Sequence, residues 1–170
     1  PHDFKEIEGF ALLNPMIQKD NLKGRHVTWI GHSTLLLTID GSTLLTDPVF
    51  SLRASPFSNF GPKRVTPPAL EIVDLPKIDA VIISHNHYDH LDVQSLKKLN
   101  KLQPHIRYFV PLGLKKLLSK NGLKFVYELD WWEKITFRGL SFIATPVNHW
   151  SSRSLFDQNK TLWSGWMVEW

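Results

Sequence analysis

The chain has 170 residues, a net charge of +4, 42% hydrophobic residues, 21% charged residues and no cysteine. This composition is typical of one globular domain with enough apolar material for a core. The absence of cysteine excludes a disulfide scaffold and a thiolate metal site, so a metal site here would use nitrogen and oxygen ligands. The positive charge fits an ordinary solvated surface or attraction to an anionic partner, and charge alone does not choose.

The first half of the chain predicts a hairpin followed by a long loop. Residues 1–25 are polar and irregular, and we expect them to form an N-terminal extension to a domain over residues 26–170. Short apolar runs predict strands at 27–30, 34–39 and 43–46. The sequence Asp40-Gly41-Ser42 between the last two is a strong hairpin signal, because glycine tolerates positive φ. Residues 48–78 contain six prolines and predict a surface loop.

The second half alternates predicted strands and helices. The apolar run 80–83 predicts a strand buried on both faces, and residues 108–110 predict another. Asp92 can cap a helix whose apolar residues recur at helical spacing, namely Val93, Leu96, Leu99 and Leu102. Pro111 is expected to begin a second helix that ends at Asn121-Gly122. The side chains of this helix that are expected to face the core are Leu114, Leu117 and Leu118. This order predicts a mixed α/β layer.

Residues 84–90, which we call the histidine loop, read Ser-His-Asn-His-Tyr-Asp-His. Imidazole and carboxylate groups suit zinc, iron and nickel. Residues i and i+2 of an extended chain point the same way, so His85 and His87 are predicted to face one ion. Asp89 and His90 are predicted to face a second. The alternative, an exposed polar loop, is disfavoured because so many buried titratable groups would be costly without a metal.

The pattern His-x-His-x-Asp-His after a buried strand is the signature of the metallo-β-lactamase superfamily, whose domain is an αββα sandwich. Further blocks resemble the N-acylphosphatidylethanolamine-hydrolysing phospholipase D group of that superfamily. These blocks occur in the same order and lie at residues 27–32, 45–48, 53–56, 61–64, 82–92, 109–113 and 128–133. The resemblance extends from about Val27 to Trp166.

The resemblance implies a site for two zinc ions. In that family the His-x-His pair binds the first zinc together with a later histidine, which here is His149 in Thr145-Pro146-Val147-Asn148-His149-Trp150. The residues alone leave His149 open, since a histidine after proline in a loop is more often a surface residue. The Asp89–His90 pair binds the second zinc, and Asp89 is the expected catalytic residue.

Two further residues are expected near the metals. Asp47 ends a strand before Pro48, and it is either a turn residue or a carboxylate that orients a ligand histidine. The resemblance favours the orienting role, which fixes the tautomer of the ring. His32 follows Gly31 at the end of another strand, and the sequence leaves open whether it lines the same pocket.

The family completes its second site with a bridging aspartate and a last histidine, and neither block occurs in these 170 residues. We therefore expect an α/β fold that is the N-terminal half of a metallo-β-lactamase sandwich, a mixed sheet with helices on one face. The remainder of the domain is expected to be on another chain, cleaved off or absent. The 170 residues alone are expected to hydrolyse little.

The predicted function is that of a zinc-dependent phospholipase D-type phosphodiesterase in lipid metabolism, which converts N-acylphosphatidylethanolamine to N-acylethanolamine and phosphatidic acid. A lactonase or nuclease of the same fold, and a non-catalytic half-domain acting as a binding module, remain alternatives. The expected partners are a phospholipid substrate and a membrane surface. Nucleic acid is not expected, and a homodimer is left open.

No apolar run approaches the roughly 20 residues of a membrane-spanning helix. The chain begins at Pro1 rather than at methionine. We expect a cytoplasmic protein or one peripheral to a membrane, whose native N-terminus is not part of this sequence.

Overall fold

The computed structural model describes residues 24–57 and 59–170. Nearly all of the predicted N-terminal extension, residues 1–25, lies outside the described residues. The strands are β1 His26–Gly31, β2 Thr34–Ile39, β3 Ser42–Thr46, β4 Ala80–Ile82, β5 Arg107–Pro111, β6 Val126–Leu129, β7 Lys134–Phe137, β8 Leu140–Thr145 and β9 Gly165–Glu169. The helices are α1 Val93–Leu102 and α2 Lys115–Lys120, and a short 3₁₀ helix covers Ile72–Asp74.

The strands form two sheets. The larger sheet has the order β1-β2-β3-β4-β5-β6, antiparallel from β1 to β3 and parallel from β3 to β6. The smaller sheet is antiparallel, with the order β7-β8-β9. Asp40 and Gly41 both have positive φ, and Ile39 pairs with Ser42, so the predicted hairpin turn is confirmed.

Each face of the larger sheet is covered by a different layer. In β5, Tyr108 and Val110 pack with the helical residues Leu96 and Leu118, whereas Phe109 packs with Phe142 of the smaller sheet. This alternation follows from the two-residue period of a strand. The arrangement is helix, sheet, sheet, which confirms the predicted half-sandwich with a mixed sheet and helices on one face.

Asp92 caps α1 as the sequence predicts. Its Oδ1 accepts a hydrogen bond from the backbone N–H of Gln94 at 3.1 Å, and its Oδ2 accepts from the Ser51 N–H and from the Ser95 hydroxyl. The cap therefore also ties the loop before β4 to the start of the helix. Within the part of the chain that the structure describes, neither α-helix is long and apolar enough to cross a membrane.

Two details of the prediction are wrong. Pro111 is the last residue of β5, paired with Leu129, and α2 begins at Lys115. A proline is tolerated there because the end of a strand does not need its N–H. Leu102 is 51% exposed, whereas Leu96 is fully buried. Three residues rotate about 300° around a helix, which is about 60° short of a full turn. Leu102 lies three such steps after Val93, so it lies on the opposite face of the helix.

We predict that Leu96→Ala lowers the free energy of unfolding by about 2–5 kcal/mol, because it leaves a cavity beneath α1. The matched change Leu102→Ala, in the same helix but exposed, is expected to alter it by less than about 0.5 kcal/mol. Chemical denaturation followed by circular dichroism measures both. Equal losses in the two variants would contradict the assignment of the buried face.

Candidate metal centre

The seven residues predicted for the site converge at one edge of the larger sheet. His32 follows β1, Asp47 follows β3, and the histidine loop follows β4, so three strand ends supply them. The remaining one, His149, lies on the loop over residues 146–164 between β8 and β9, which we call the His149 loop. The site is thus built where the sheet ends, on segments that begin from rigid strands.

The first cluster consists of His85, His87 and His149. His85 Nε2 lies 2.8 Å from His87 Nδ1 and 2.9 Å from His149 Nε2, and one nitrogen of each ring lies within 4.8 Å of the other two. Two imidazole nitrogens that face each other can share only one proton, so hydrogen bonding cannot satisfy all three. Three convergent nitrogens are instead the donor set that a divalent metal accepts, and the cluster fits a metal ion.

The electrostatic environment keeps two members of this cluster, His85 and His87, neutral. Burial, together with the neighbouring His90, His149 and His87, lowers the pKa of His85 to about 3. Burial and the neighbouring His149 also lower the pKa of His87. Neutral imidazole is the form that binds metals, because a protonated ring has no free lone pair. The rings of the buried His85 and the half-buried His87 are therefore in their metal-binding form at neutral pH.

The second cluster consists of His32, Asp89 and His90. Asp89 Oδ2 lies 3.0 Å from His32 Nε2 and 3.6 Å from His90 Nε2, and the three ligand atoms could hold one ion. Burial acts to raise the pKa of Asp89, but the neighbouring His90, the backbone and His32 together lower it. The structure therefore places His32 in contact with Asp89, a position that the sequence had left open.

Asp47 lies behind His90. Its carboxylate is 5% exposed, accepts hydrogen bonds from the Ser84 N–H at 2.7 Å and the Ser84 hydroxyl at 2.6 Å, and lies 2.8 Å from His90 Nδ1. Burial acts to lower the pKa of His90, but the bond to Asp47 and the charges of Asp47 and Asp89 outweigh it and raise that pKa. Because Nδ1 of His90 contacts Asp47, its other ring nitrogen, Nε2, faces Asp89 and is available to an ion at the second cluster.

Three further residues lie near the clusters and were not among the predicted site residues. Ser84 joins Asp47 to the histidine loop, and Arg153 contacts the same loop from the His149 loop. Trp150 packs edge-on against His87, with ring centroids 4.3 Å apart. Trp150 follows the predicted ligand His149, whereas nothing local to the sequence distinguishes Arg153.

The mixed sheet and the two clusters of imidazole and carboxylate groups define a metal-binding domain of the metallo-hydrolase class. A family model described as "Beta-lactamase superfamily domain" matches residues 42–170. The chain belongs to this superfamily.

The sequence is also similar to two curated relatives. N-acyl-phosphatidylethanolamine-hydrolyzing phospholipase D 1 of Caenorhabditis elegans is 42% identical over 179 residues, covering 99% of this chain and 50% of the relative. The mitochondrial N-acyl-phosphatidylethanolamine-hydrolyzing phospholipase D of Saccharomyces cerevisiae is 39% identical over 145 residues, covering 83% of this chain and 31% of the relative. The chain thus spans half or less of the length of these relatives.

Solved structures agree on the fold. CmlA, a diiron β-hydroxylase from Streptomyces venezuelae, superposes with a TM-score of 0.60 at 25% identity, covering 86% of this chain and 27% of CmlA. Igni18, a metallo hydrolase from Ignicoccus hospitalis, superposes with a TM-score of 0.61 at 20% identity, covering 85% and 55% of the two chains. The neighbours differ in chemistry, so the shared fold does not fix the metal or the reaction.

We predict that, after loading with zinc, His149→Ala loses most of the metal that the first cluster retains in the wild type, because two histidines alone hold an ion weakly. The matched change His105→Ala, at an exposed histidine outside both clusters, is expected to leave the bound zinc unchanged. Elemental analysis after dialysis measures the stoichiometry. A full complement of zinc in His149→Ala would remove His149 from the ligand set.

We predict that the metal-free protein loses stability as the pH falls from about 6.5 towards 3. Folded His85 has a pKa of about 3, while the unfolded chain takes up this proton near its ordinary 6.5. The unfolded state binds more protons in that window, so His85 alone contributes a slope of about 1.4 kcal/mol per pH unit. Denaturation of the wild type and His85→Gln at pH 4 to 7 checks this, and equal slopes would contradict it.

Proposed function

We propose that this chain carries the metal ligands of a phospholipase D-type phosphodiesterase that hydrolyses N-acylphosphatidylethanolamine. The observation that carries the proposal is the coincidence of two facts. The chain is 42% identical over 99% of its length to a relative named for that activity, and its own His and Asp side chains form two ligand clusters. Because the chain spans only half of that relative, the activity is proposed for the full-length protein.

The residues that would hold the ions are His85, His87 and His149 at one cluster and Asp89 and His90 at the other. We propose zinc at both clusters, since neutral imidazole and carboxylate are common zinc ligands. Metal ions bound here supply Lewis acidity toward a phosphoryl oxygen and lower the pKa of a water ligand. Asp47 holds His90 in the orientation that such binding needs, because it engages the ring through Nδ1.

The proposed reaction consumes one water. The water oxygen forms a bond to phosphorus, and the bond that breaks joins phosphorus to the oxygen of the N-acylethanolamine. Phosphatidic acid keeps the glycerol oxygen, and the N-acylethanolamine leaves with a proton on its hydroxyl. We propose that the carboxylate of Asp89 accepts a hydrogen bond from the attacking water. The contact of its Oδ2 with His32 Nε2, at 3.0 Å, supports this role because it restrains the carboxylate.

A lipid substrate is consistent with the surface. The exposed Trp150 lies against His87, so an apolar surface borders the first cluster. The helical layer carries exposed lysines that would favour an anionic membrane, each by about 1 kcal/mol near the surface. They are Lys97, Lys98, Lys101, Lys115, Lys116, Lys120 and Lys124. We therefore propose that the protein acts at a membrane surface as a peripheral protein.

The test uses the full-length protein, prepared metal-free and reloaded with zinc or with iron. Three substrates are offered in separate assays, namely a lactone, RNA, and vesicles that contain N-acylphosphatidylethanolamine. Release of N-acylethanolamine from the vesicles is measured by mass spectrometry. We expect hydrolysis of the phospholipid with zinc, and a loss of at least about 100-fold in His85→Ala, since removal of a ligand disrupts the centre. His105→Ala serves as the active control.

Hydrolysis of the lactone or RNA in place of the phospholipid would overturn the proposed substrate. Activity restored by iron and not by zinc would overturn the proposed metal. Absence of all three activities in zinc-loaded protein would favour a non-catalytic binding module.

A further inference from the structure

The Arg153 side chain contacts the backbone within the histidine loop, at Asn86, and directly after it, at Leu91. Its Nη1 donates a hydrogen bond to the backbone carbonyl of Asn86 at 2.8 Å and another to the carbonyl of Leu91 at 2.7 Å. Asn86 lies between the two ligands His85 and His87, and Leu91 follows the ligand His90. One nitrogen of a permanently charged group therefore links the two ends of the segment 86–91, which carries three of the proposed ligands, His87, Asp89 and His90.

Tyr88 completes the contact from within the histidine loop. The guanidinium carbon of Arg153 lies 4.0 Å from the centroid of the Tyr88 ring, which is the geometry of a cation–π interaction. The Tyr88 hydroxyl in turn donates to the backbone carbonyl of Arg153 at 3.1 Å. The arginine and the loop thus hold each other by side chain and by backbone.

The backbone of Arg153 is itself fixed within the His149 loop. Asp157 Oδ1 accepts hydrogen bonds from the Arg153 N–H at 2.9 Å, from the Ser154 N–H at 2.7 Å and from the Ser152 hydroxyl at 3.0 Å. These hydrogen bonds restrain the backbone at Arg153, which lies only four residues after His149. Motion of this backbone against the histidine loop would break both carbonyl contacts.

We propose that Arg153 is a positioning residue of the first metal cluster. It joins the loop that supplies His149 to the loop that supplies His85 and His87, and so sets the separation of the three nitrogens. A lysine can replace the charge but not the flat stacking on Tyr88 together with the two carbonyl contacts. The proposal rests on the metal-binding part of the proposed function and is independent of the substrate.

The test measures metal binding in the full-length protein. Zinc affinity of the first cluster is determined by competition with a chromophoric chelator in the wild type, Arg153→Met and Arg153→Lys. We expect about 10- to 100-fold weaker binding in Arg153→Met, the usual cost of losing a group that orients metal ligands. Arg153→Lys is expected to fall between Arg153→Met and the wild type. Added guanidinium ion is expected to restore part of the affinity in Arg153→Ala.

The visible absorption spectrum of the cobalt(II)-substituted protein gives a second readout. It reports ligand geometry and does not respond to a loss of global stability alone. We expect Arg153→Met to change the intensity and position of the cobalt bands. Wild-type bands together with wild-type zinc affinity would overturn the proposal.

Arg107→Met is the matched control. Arg107 also lies over an aromatic ring, with its guanidinium carbon 4.5 Å from the Phe125 centroid, and also donates to a carbonyl, that of His105. It stands at the start of β5, the end opposite to the metal centre. An equal loss of zinc affinity in Arg107→Met would show a general effect of losing a stacked arginine, and would overturn the specific role of Arg153.

Two milder variants decide the outcome if Arg153→Met does not fold. Arg153→Lys and Tyr88→Phe each keep most of the packing, and each is expected to weaken zinc binding relative to the wild type. Wild-type affinity in both would overturn the proposal. Zinc-loaded wild type that does not hydrolyse N-acylphosphatidylethanolamine would refute the proposed substrate, whereas the affinity comparison would still decide the role of Arg153.

Discussion

The buried carboxylate of Asp47 connects the end of β3 to the segment that leaves β4. It accepts hydrogen bonds from both the backbone N–H and the hydroxyl of Ser84, and it lies 2.8 Å from His90 Nδ1. Asp47 adopts a left-handed backbone with φ of +35°, a conformation that is unfavourable for a residue with a Cβ and is maintained here by these bonds. The direction of the histidine loop and the orientation of His90 both depend on this one group.

The rigidity of the site comes from the sheet beneath it. β4 is buried on one face against the helical layer, through Val81, and on the other against the smaller sheet, through Ala80 and Ile82. A strand packed on both faces has little freedom to shift, so the segment after Ile82 starts from a fixed point. The proposed metal ligands are therefore placed by the core, and loop sequence alone would not position them.

The sequence predicts those structural features that depend only on residues close together along the chain. The Asp40–Gly41 turn and the cap of α1 are local patterns that the structure confirms, and the dense run of predicted ligands in the histidine loop is a local pattern as well. Pro111 was misassigned because the end of β5 is decided by strand partners distant in sequence, whereas Leu102 was misassigned because three-residue steps drift around a helix to its opposite face. Arg153 was missed for the same reason as Pro111, since its contacts lie more than 60 residues away.

The two sheets contribute separately to the first cluster. His85 and His87 extend from the larger sheet, whereas His149 follows β8 of the smaller one. An ion held by all three side chains is a cross-link between the layers, comparable to a disulfide in a chain that has no cysteine. By mass action, such an ion stabilises only the assembled arrangement, so the supply of metal also controls how firmly the sandwich is closed.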